Sequence, residues 1–286
     1  MPSMLVIGSI NLDIVATAPR LPTPGAKVTD AVLTRHPGGG AANQALAARR
    51  LGADVALLGR VGQDADADSA LALLRESGVD LSGVTALPDT ATGVALIAVA
   101  ASGENQIVVA PGANLRLASE NLHLADVDAL LSEHVAPGDA VSLAVGRFDG
   151  FTCVTLATTQ EVDDAVLRHA DLIVVNESEA AWYGDCLASR DGLVAKTFGA
   201  SGAALFRDGA EFARASPPAV TAIDTTGAGD SFTAALTVAL VEGQPYADAL
   251  RFACAAGAAA TQRDGAQPSL PTREEVERLL RGAELC

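Results

Sequence analysis

Short apolar runs alternate along this chain with Ala- and Leu-rich stretches of helical period. Residues 4–8 and 55–58 predict buried strands, and residues 41–51 between them predict a helix introduced by the glycines at 38–40. Further strands are expected at residues 172–175, 194–197 and 203–206, and further helices at residues 66–77, 229–241, 247–262 and 272–280. Alternating strands and helices favour a mainly parallel sheet covered by helices, so the predicted fold class is α/β.

Two intervals, residues 14–34 and 93–109, break this alternation. Their polar alternation and their Pro and Gly turns predict strand pairs without an intervening helix. Such strands form either a lid over a pocket or an edge extension of the main sheet, and the lid is the favoured interpretation. Because no linker or repeat separates the halves of the chain, a single domain spanning residues 1–286 is expected.

The charge balance limits the possible partners. The 286 residues include 19 Lys and Arg against 35 Asp and Glu, a formal net charge of −16. Nucleic acids and anionic membranes bind basic surfaces, so neither is expected as a partner. The hydrophobic fraction of 49% excludes global disorder and favours a metabolic enzyme or a small-molecule binder. The N-terminal sequence has no basic leader with a cleavage site, so a cytoplasmic location is expected.

The sharpest segment is Asp-Thr-Thr-Gly-Ala-Gly-Asp-Ser-Phe at residues 224–232, which leads directly into an apolar helical stretch. Gly227, Ala228 and Gly229 can bring backbone N–H groups together at a helix N-terminus, where the helix dipole also favours an anion. Asp230 in the same turn is placed to accept a proton from a hydroxyl nucleophile. The segment therefore predicts phosphoryl transfer, and an ordinary Gly-rich helix start with an Asp cap is the alternative.

Two other nucleotide-binding patterns are excluded. The lysines of the chain, Lys27 and Lys196, do not follow a GxxxxG stretch, which excludes a P-loop phosphotransferase. The glycines at 38–40 do not directly follow a strong strand, so they make a poor dinucleotide fingerprint.

Four separated segments together resemble the ribokinase (pfkB) family of carbohydrate kinases, and the likeness extends in order over nearly the whole chain. The segments are Gly8-Ser-Ile-Asn-Leu-Asp13, Gly38-Gly-Gly-Ala-Ala-Asn-Gln-Ala45, Asn176-Glu-Ser-Glu179 and the stretch at 224–232. Gly265-Ala-Gln-Pro-Ser269 is in addition typical of ribokinases within the family. The resemblance implies a three-layer α/β/α sandwich with a mainly parallel sheet and a small β-strand lid.

The resemblance also implies an ATP-dependent kinase that phosphorylates a primary hydroxyl of a small sugar, ribose above all. Asp230 would be the catalytic base, and the anion hole for the transferred phosphoryl would be formed by Gly227, Ala228 and Gly229. The sugar would be held by Asn11, Asp13, Gly39, Gly40 and Asn43 together with Asp230. The nucleotide would contact Asn176, Thr197, Gly199, Gly202 and Gly229.

Metal ions and a partner subunit follow from the same resemblance. Glu179 would orient water around Mg²⁺. A K⁺ ion that activates the enzyme would lie between loops that contain Asp224, Thr226, Ala260, Arg263, Gly265 and Ser269. Paired lids would join two copies of the chain into a homodimer. Some of these roles have alternative interpretations. Asn11 and Asp13 could cap a strand-to-loop turn, and Asn176 and Glu179 could cap a helix without binding a ligand.

Two departures from the family pattern affect these expectations. Gly40 occupies the position that is commonly lysine in ribokinase-type GGKGAN loops. In addition, residues 140–145 are interpreted as a strand, which leaves only residues 146–150 before the next strand at 151–157. So short a connection cannot make a helical crossover between parallel strands. Either a β–α unit is missing and the sheet is rearranged, or residues 146–150 form a turn and the strands pair differently. The glutamate that helps close the sugar site in the family has no counterpart that can be aligned in this sequence.

These departures leave other functions open. The substrate could be fructose, 2-keto-3-deoxygluconate or a nucleoside instead of ribose. A shortened middle region could also leave a sugar- or nucleotide-binding protein with poor turnover.

Overall fold

The computed structural model describes residues 1–118, 124, 126–134 and 138–283, without the side chains of residues 138 and 139. The strands are β1 (Ser3–Ile7), β2 (Asn11–Ala18), β3 (Val32–Gly38), β4 (Asp54–Gly62), β5 (Asp80–Leu87), β6 (Gly93–Ala100), β7 (Asn105–Ala110), β8 (Ala129–Glu133), β9 (Phe151–Thr155), β10 (Leu172–Asn176), β11 (Leu193–Thr197), β12 (Ala203–Arg207) and β13 (Ala210–Ala215). The helices are α1 (Gly40–Arg50), α2 (Ala65–Glu76), α3 (Gly138–Arg147), α4 (Asp164–His169), α5 (Glu177–Tyr183), α6 (Asp185–Ala188), α7 (Ala228–Val241), α8 (Tyr246–Ala260), α9 (Ala266–Ser269) and α10 (Arg273–Ala283).

Nine strands form the larger sheet, in the order β13-β12-β11-β10-β9-β8-β1-β4-β5. Pairing is parallel from β11 through β5, and the last two strands, β12 and β13, add antiparallel at one edge. The mainly parallel sheet predicted from the sequence is therefore confirmed.

Helices cover both faces of this sheet. Along β1, Met4 and Val6 join a core with α1, α2, α7 and α8, whereas Leu5 and Ile7 join a second core with α3, α4 and α5. Successive side chains of a strand point to opposite faces, so an apolar run without alternation fits a strand that is buried on both sides. These two cores make the three-layer α/β/α arrangement. In the part of the chain that is described, no helix combines the length and the apolar character needed to cross a bilayer.

The two intervals that break the strand–helix alternation contribute to a second sheet, in the order β3-β2-β6-β7. β2 pairs antiparallel with β3 and parallel with β6, and β6 pairs antiparallel with β7. This sheet is separate from the nine-stranded one, so the alternative of an edge extension is wrong. The observed strands begin and end a few residues away from the expected bounds, since β2 starts at Asn11 and β3 ends at Gly38.

The alternative of a missing β–α unit is also wrong. Residues 140–145, interpreted from the sequence as a strand, lie in α3, and the strand before it is β8. Ala140, Val141, Ala144 and Val145 are buried, which is the spacing of one helical face. A short apolar run does not distinguish a buried strand from a buried helix, and this ambiguity caused the error. β8, α3 and β9 therefore form a complete crossover unit between parallel neighbours.

Candidate active site

The expected site residues lie at one edge of the larger sheet. The carboxyl ends of β1, β8, β10 and β11 share this edge because these strands run parallel to one another. Asn43 near the start of α1 donates a hydrogen bond to Asp230 near the start of α7, so both helices begin at the same place.

The glycine-rich segment forms the N-terminal turn of α7. Gly227 precedes the helix with a φ of +78°, in the left-handed region that favours glycine. The Ala228 N–H donates to the Thr225 carbonyl at 3.2 Å, and the first intrahelical bond runs from the Ser231 N–H to the Gly227 carbonyl at 2.9 Å. The Gly229 N–H comes before this first intrahelical bond, so it is one of the N–H groups that have no acceptor within the helix. Ala228, expected in the anion hole, uses its N–H within the turn.

Asp230 has its carboxylate held between two side-chain amides. Asn43 Nδ2 donates to Oδ2 at 2.9 Å, and Gln44 Nε2 donates to Oδ1 at 3.0 Å. Burial and the charges of Glu133 and Asp13 disfavour ionisation, whereas the two amides favour it. The balance raises the pKa of Asp230 from 3.8 to about 7. A carboxyl group with a pKa near neutral pH is suited to accept a proton from a hydroxyl group.

Two of the expected sugar-binding residues, Asn43 and Asp13, lie close to this carboxylate. Asp13 is buried, and burial raises its pKa to about 6. A β-carbon at Gly38 would overlap the Asp13 carboxylate, and one at Gly39, where φ is +92°, would lie 2.7 Å from the Ser9 carbonyl. The two glycines before α1 therefore let the backbone approach the loop after β1 and the first residues of β2.

Asn114 is a residue of this region that the sequence reasoning missed. Its Nδ2 donates to Asn11 Oδ1 at 2.8 Å, and its Oδ1 accepts from the Ile10 N–H at 3.0 Å. Asn11 is therefore oriented by a second buried amide rather than by a local turn alone. The Pro-Gly-Ala-Asn sequence at 111–114 indicates only a turn, since turn asparagines usually bond to their own local backbone, so the long-range contact with Asn11 could not be inferred from it.

Glu133 is the second residue that was missed, and it ends β8 at the same edge of the sheet. Its Oε1 accepts hydrogen bonds from the Ser9 hydroxyl and from the Ser9 N–H, the latter at 2.9 Å. The Ser9 hydroxyl in turn accepts from the Gly40 N–H at 3.1 Å. Burial raises the pKa of Glu133, and the hydrogen bonds from Ser9 oppose that shift. A strand at 129–133 instead of 140–145 would have placed this acid at the site from sequence.

Two of the residues expected to contact nucleotide, Asn176 and Thr197, are the last residues of β10 and β11. Asn176 and Thr197 are paired in the parallel register of these strands. Asn176 also caps α5 by accepting from the Glu179 N–H at 2.9 Å, while its own N–H donates to the Glu179 carboxylate at 2.8 Å. This reciprocal capping box agrees with the helix-capping part of the alternative interpretation.

Two more of the expected nucleotide residues, Gly199 and Gly202, enclose a short turn after β11. Both have positive φ, +53° and +95°. A β-carbon at Gly202 would overlap the Ala215 carbonyl, whereas one at Gly199 would have no heavy atom within 4 Å. Gly202 is thus required by the fold, and Gly199 leaves open space on the outer side of the turn.

Two loops beside α7 contain the residues expected to bind a monovalent cation. Asp224 Oδ1 accepts from the N–H and the hydroxyl of Thr226 at 2.9 and 2.7 Å, and Oδ2 accepts from the Gly265 N–H at 2.8 Å. Burial opposes ionisation of Asp224, but these hydrogen bonds outweigh it and lower its pKa. The Asp224 N–H also donates to the Thr261 carbonyl at 3.2 Å. The structure therefore brings Asp224, Thr226 and Gly265 into one hydrogen-bonded unit.

The remaining residues of that set have structural partners for their side chains. Ala260 is buried at the end of α8, the Arg263 guanidinium pairs with Glu275, and the Ser269 hydroxyl donates to the Ala266 carbonyl at 2.8 Å. A cation between these loops would therefore be held mainly by backbone carbonyl oxygens. Oxygen ligands of this kind suit a hard cation.

The whole chain resembles known sugar kinases. The pfkB family of carbohydrate kinases matches residues 1–273. A Bacillus subtilis ribokinase is 35% identical over 293 residues, which cover 98% of this chain and 100% of that protein. A Haemophilus influenzae ribokinase is 33% identical over 304 residues, which cover 98% and 99%.

A solved structure gives the same result. The structure of Arabidopsis thaliana ribokinase complexed with ribose and ATP superposes with a TM-score of 0.86 at 30% sequence identity, covering 98% of this chain and 99% of that one. Sequence and architecture thus agree over nearly the full length. This chain belongs to the pfkB family of carbohydrate kinases.

Proposed function

We propose that this protein is an ATP-dependent ribokinase, which converts D-ribose and ATP to ribose 5-phosphate and ADP. The observation that carries the proposal is the environment of the Asp230 carboxylate at the start of α7. Asn43 of α1 donates a hydrogen bond to this carboxylate, and the nearby charges of Glu133 and Asp13 contribute to its raised pKa. The full-length similarity to ribokinases, one of them solved with ribose and ATP, favours ribose as the acceptor.

The chain's own residues account for the proton and for the charge. Asp230 takes the proton of the sugar 5-hydroxyl. The hydroxyl oxygen of the sugar then bonds to the γ-phosphorus, while the bond from that phosphorus to the ADP oxygen breaks. The start of α7, with the Gly229 N–H, stabilises negative charge on the transferred phosphoryl. Asn11, Asp13 and the backbone at Gly39 and Gly40 hold the sugar hydroxyls, because carboxylate and amide groups pair well with vicinal diols.

We further propose that Asn176, Thr197, Gly199 and Gly202 bind the nucleotide and that Glu179 orients water around Mg²⁺. The open space beside Gly199 and the exposed position of Asn176 are compatible with a nucleotide there. Bound Mg²⁺ supplies positive charge that neutralises the phosphates. The loops joined by Asp224 and Gly265 would hold K⁺ next to the start of α7.

A sugar panel with ATP and Mg²⁺ tests this function. We expect ADP production with ribose to exceed that with fructose, 2-keto-3-deoxygluconate or a nucleoside by at least about tenfold in kcat/KM. A stronger preference for another acceptor would overturn the ribose assignment. Thermal stabilisation by ribose and ATP without ADP production would instead indicate a binding protein. Weak turnover was expected only if a β–α unit was missing, and β8, α3 and β9 form a complete unit.

The four-stranded sheet supports two further proposals, a lid over the sugar site and a homodimer through that lid. Six large apolar side chains on β3, β6 and β7 are at least half exposed: Val32, Leu33, Leu96, Ile107, Val108 and Val109. Exposed apolar side chains on the edge strands β3 and β7 favour association with another surface. The use of ATP as a substrate supports a cytoplasmic location.

A further inference from the structure

The catalytic carboxylate of Asp230 is shared between neighbouring residues of α1. Asn43 binds one oxygen, Oδ2, and is already assigned to the sugar. Gln44 binds the other oxygen, Oδ1, at 3.0 Å and has no assigned role. The two amides together fix the plane and the position of the carboxylate, because a carboxylate held at both oxygens cannot rotate freely.

The surroundings of Gln44 determine which way its amide faces. The side chain is buried, and Nε2 also lies 3.4 Å from Thr155 Oγ1 at the end of β9. Its Oε1 is buried and has no hydrogen-bond partner among the residues that the structure describes. Leaving a buried carbonyl oxygen unpaired is unfavourable. The amide keeps this orientation because the carboxylate of Asp230 accepts hydrogen bonds and requires a donor.

We propose that Gln44 is a positioning residue for proton transfer, which holds Oδ1 of Asp230 so that the ionised carboxylate faces the sugar hydroxyl. The proposal rests on Asp230 being the base of the proposed reaction. Gln44 acts through Asp230 and has no role in holding sugar or nucleotide.

The charges around Asp230 explain why a second amide is needed. Glu133 at the end of β8 and Asp13 on β2 are both acidic and disfavour its ionisation. The thiols on the other elements packed against α7, Cys153 of β9 and Cys254 of α8, have pKa values raised to about 12 by burial and stay neutral. The hydrogen bonds from Asn43 and Gln44 therefore provide the stabilisation that keeps the base ionised near neutral pH.

The pH profile of kcat/KM for Gln44→Met tests the proposal, because a residue that only fills space lowers the rate equally at every pH. The wild-type profile should fall below pH about 7, the pKa of Asp230. Loss of one hydrogen bond to a charged group should move this acid limb upward by about one pH unit. We expect kcat/KM at pH 6 to fall by about tenfold more than at pH 9, with the KM for ribose little changed. An acid limb at the wild-type pH would overturn the proposal.

Two further variants keep the test decisive if Gln44→Met fails to fold. Gln44→Glu has nearly the same shape and adds a carboxylate, so its acid limb should move upward as well. Thr155→Val is the matched control, since it removes the 3.4 Å partner and leaves the bond to Asp230; its limb should stay at the wild-type pH. Asp230→Asn separates the two proposals. Full activity in that variant would refute the base itself, whereas inactivity combined with an unmoved limb in the Gln44 variants would refute only the role of Gln44.

Discussion

The carboxylate of Glu133 lies where a side chain at residue 40 would begin, since a β-carbon added at Gly40 would overlap Glu133 Oε2. Ser9 links the same two residues, because its hydroxyl donates to Glu133 and accepts from the Gly40 N–H. The glycine at the position that is commonly lysine in ribokinase-type loops is therefore matched to an acid at the end of β8.

Gly40→Ala should destabilise the protein, because either Glu133 or the start of α1 has to move. Overpacking of this kind costs about 1–3 kcal/mol, measured as the loss in free energy of unfolding in a denaturant titration. Gly146→Ala is the matched control: that glycine lies on α3, and its added β-carbon would meet nothing within 4 Å. The control should be neutral or slightly stabilising, as alanine in a helix is. Equal losses in both variants would argue against the fit between Gly40 and Glu133.

Asp230→Asn should lower kcat for ribose by about 10²–10⁴-fold, the contribution of a general base. Binding of ribose and ATP should persist, because the other residues proposed to bind them are unchanged. A coupled ADP assay and calorimetric titration measure the two quantities. Asp248→Asn, an exposed partner of Arg251 on α8, is the control and should keep wild-type turnover. Undiminished turnover in Asp230→Asn would exclude this residue as the base.

The raised pKa of Asp230 also affects stability. Between pH 3.8 and about 7 the folded chain holds a proton on Asp230 that the unfolded chain has released, so this group makes the fold less stable as pH rises. Asp230→Asn removes the titration. Its free energy of unfolding should therefore increase relative to the wild type from pH 4 to pH 8, by on the order of 1–4 kcal/mol. Denaturant titrations at both pH values measure this difference, and a constant difference would contradict the raised pKa.

K⁺ should increase the turnover of the wild type, and Asp224→Ala should abolish most of that response. The variant loses the carboxylate that accepts from Thr226 and Gly265, so the two loops no longer hold their carbonyl oxygens in one arrangement. Initial rates in KCl, compared with choline chloride at equal ionic strength, measure the effect. Equal rates of the wild type in both salts would exclude a functional K⁺ site.

Val108→Glu should shift the assembly from dimer to monomer, because it places a charge in the exposed apolar surface of the four-stranded sheet. Val108 is 65% exposed on the edge strand β7. Phe212→Glu is the control, since that exposed residue lies on β13 of the other sheet. Sedimentation velocity over a range of protein concentrations should detect the difference. A monomeric wild type at every concentration would contradict the homodimer.

Most of the architecture could be predicted from the sequence. Apolar runs without alternation, such as residues 172–175, correspond to strands that are buried on both faces. The capping pair of Thr272 and Glu275 marks the start of a helix, as expected. The misassigned run at 140–145 has the same composition as a strand. Only its packing, with Ala140 and Val141 one turn from Ala144 and Val145 on a single buried face, identifies it as helix.

The residues of the site also fall into two groups, those that the sequence predicted and those that only the structure revealed. The sequence by itself determined the residues in recognisable local patterns, such as Asp230 after its glycines and Asn43 after Gly39, because a helix start depends on neighbouring residues. Only the tertiary structure decided that Glu133, Gln44 and Asn114 join them. Glu133 and Gln44 reach the site because β8 ends at the common edge of the parallel strands and α1 packs beside α7. Asn114 reaches it from the turn after β7, through its contact with Asn11. Contacts between residues far apart in sequence depend on the register and crossover of whole elements, which no local pattern encodes.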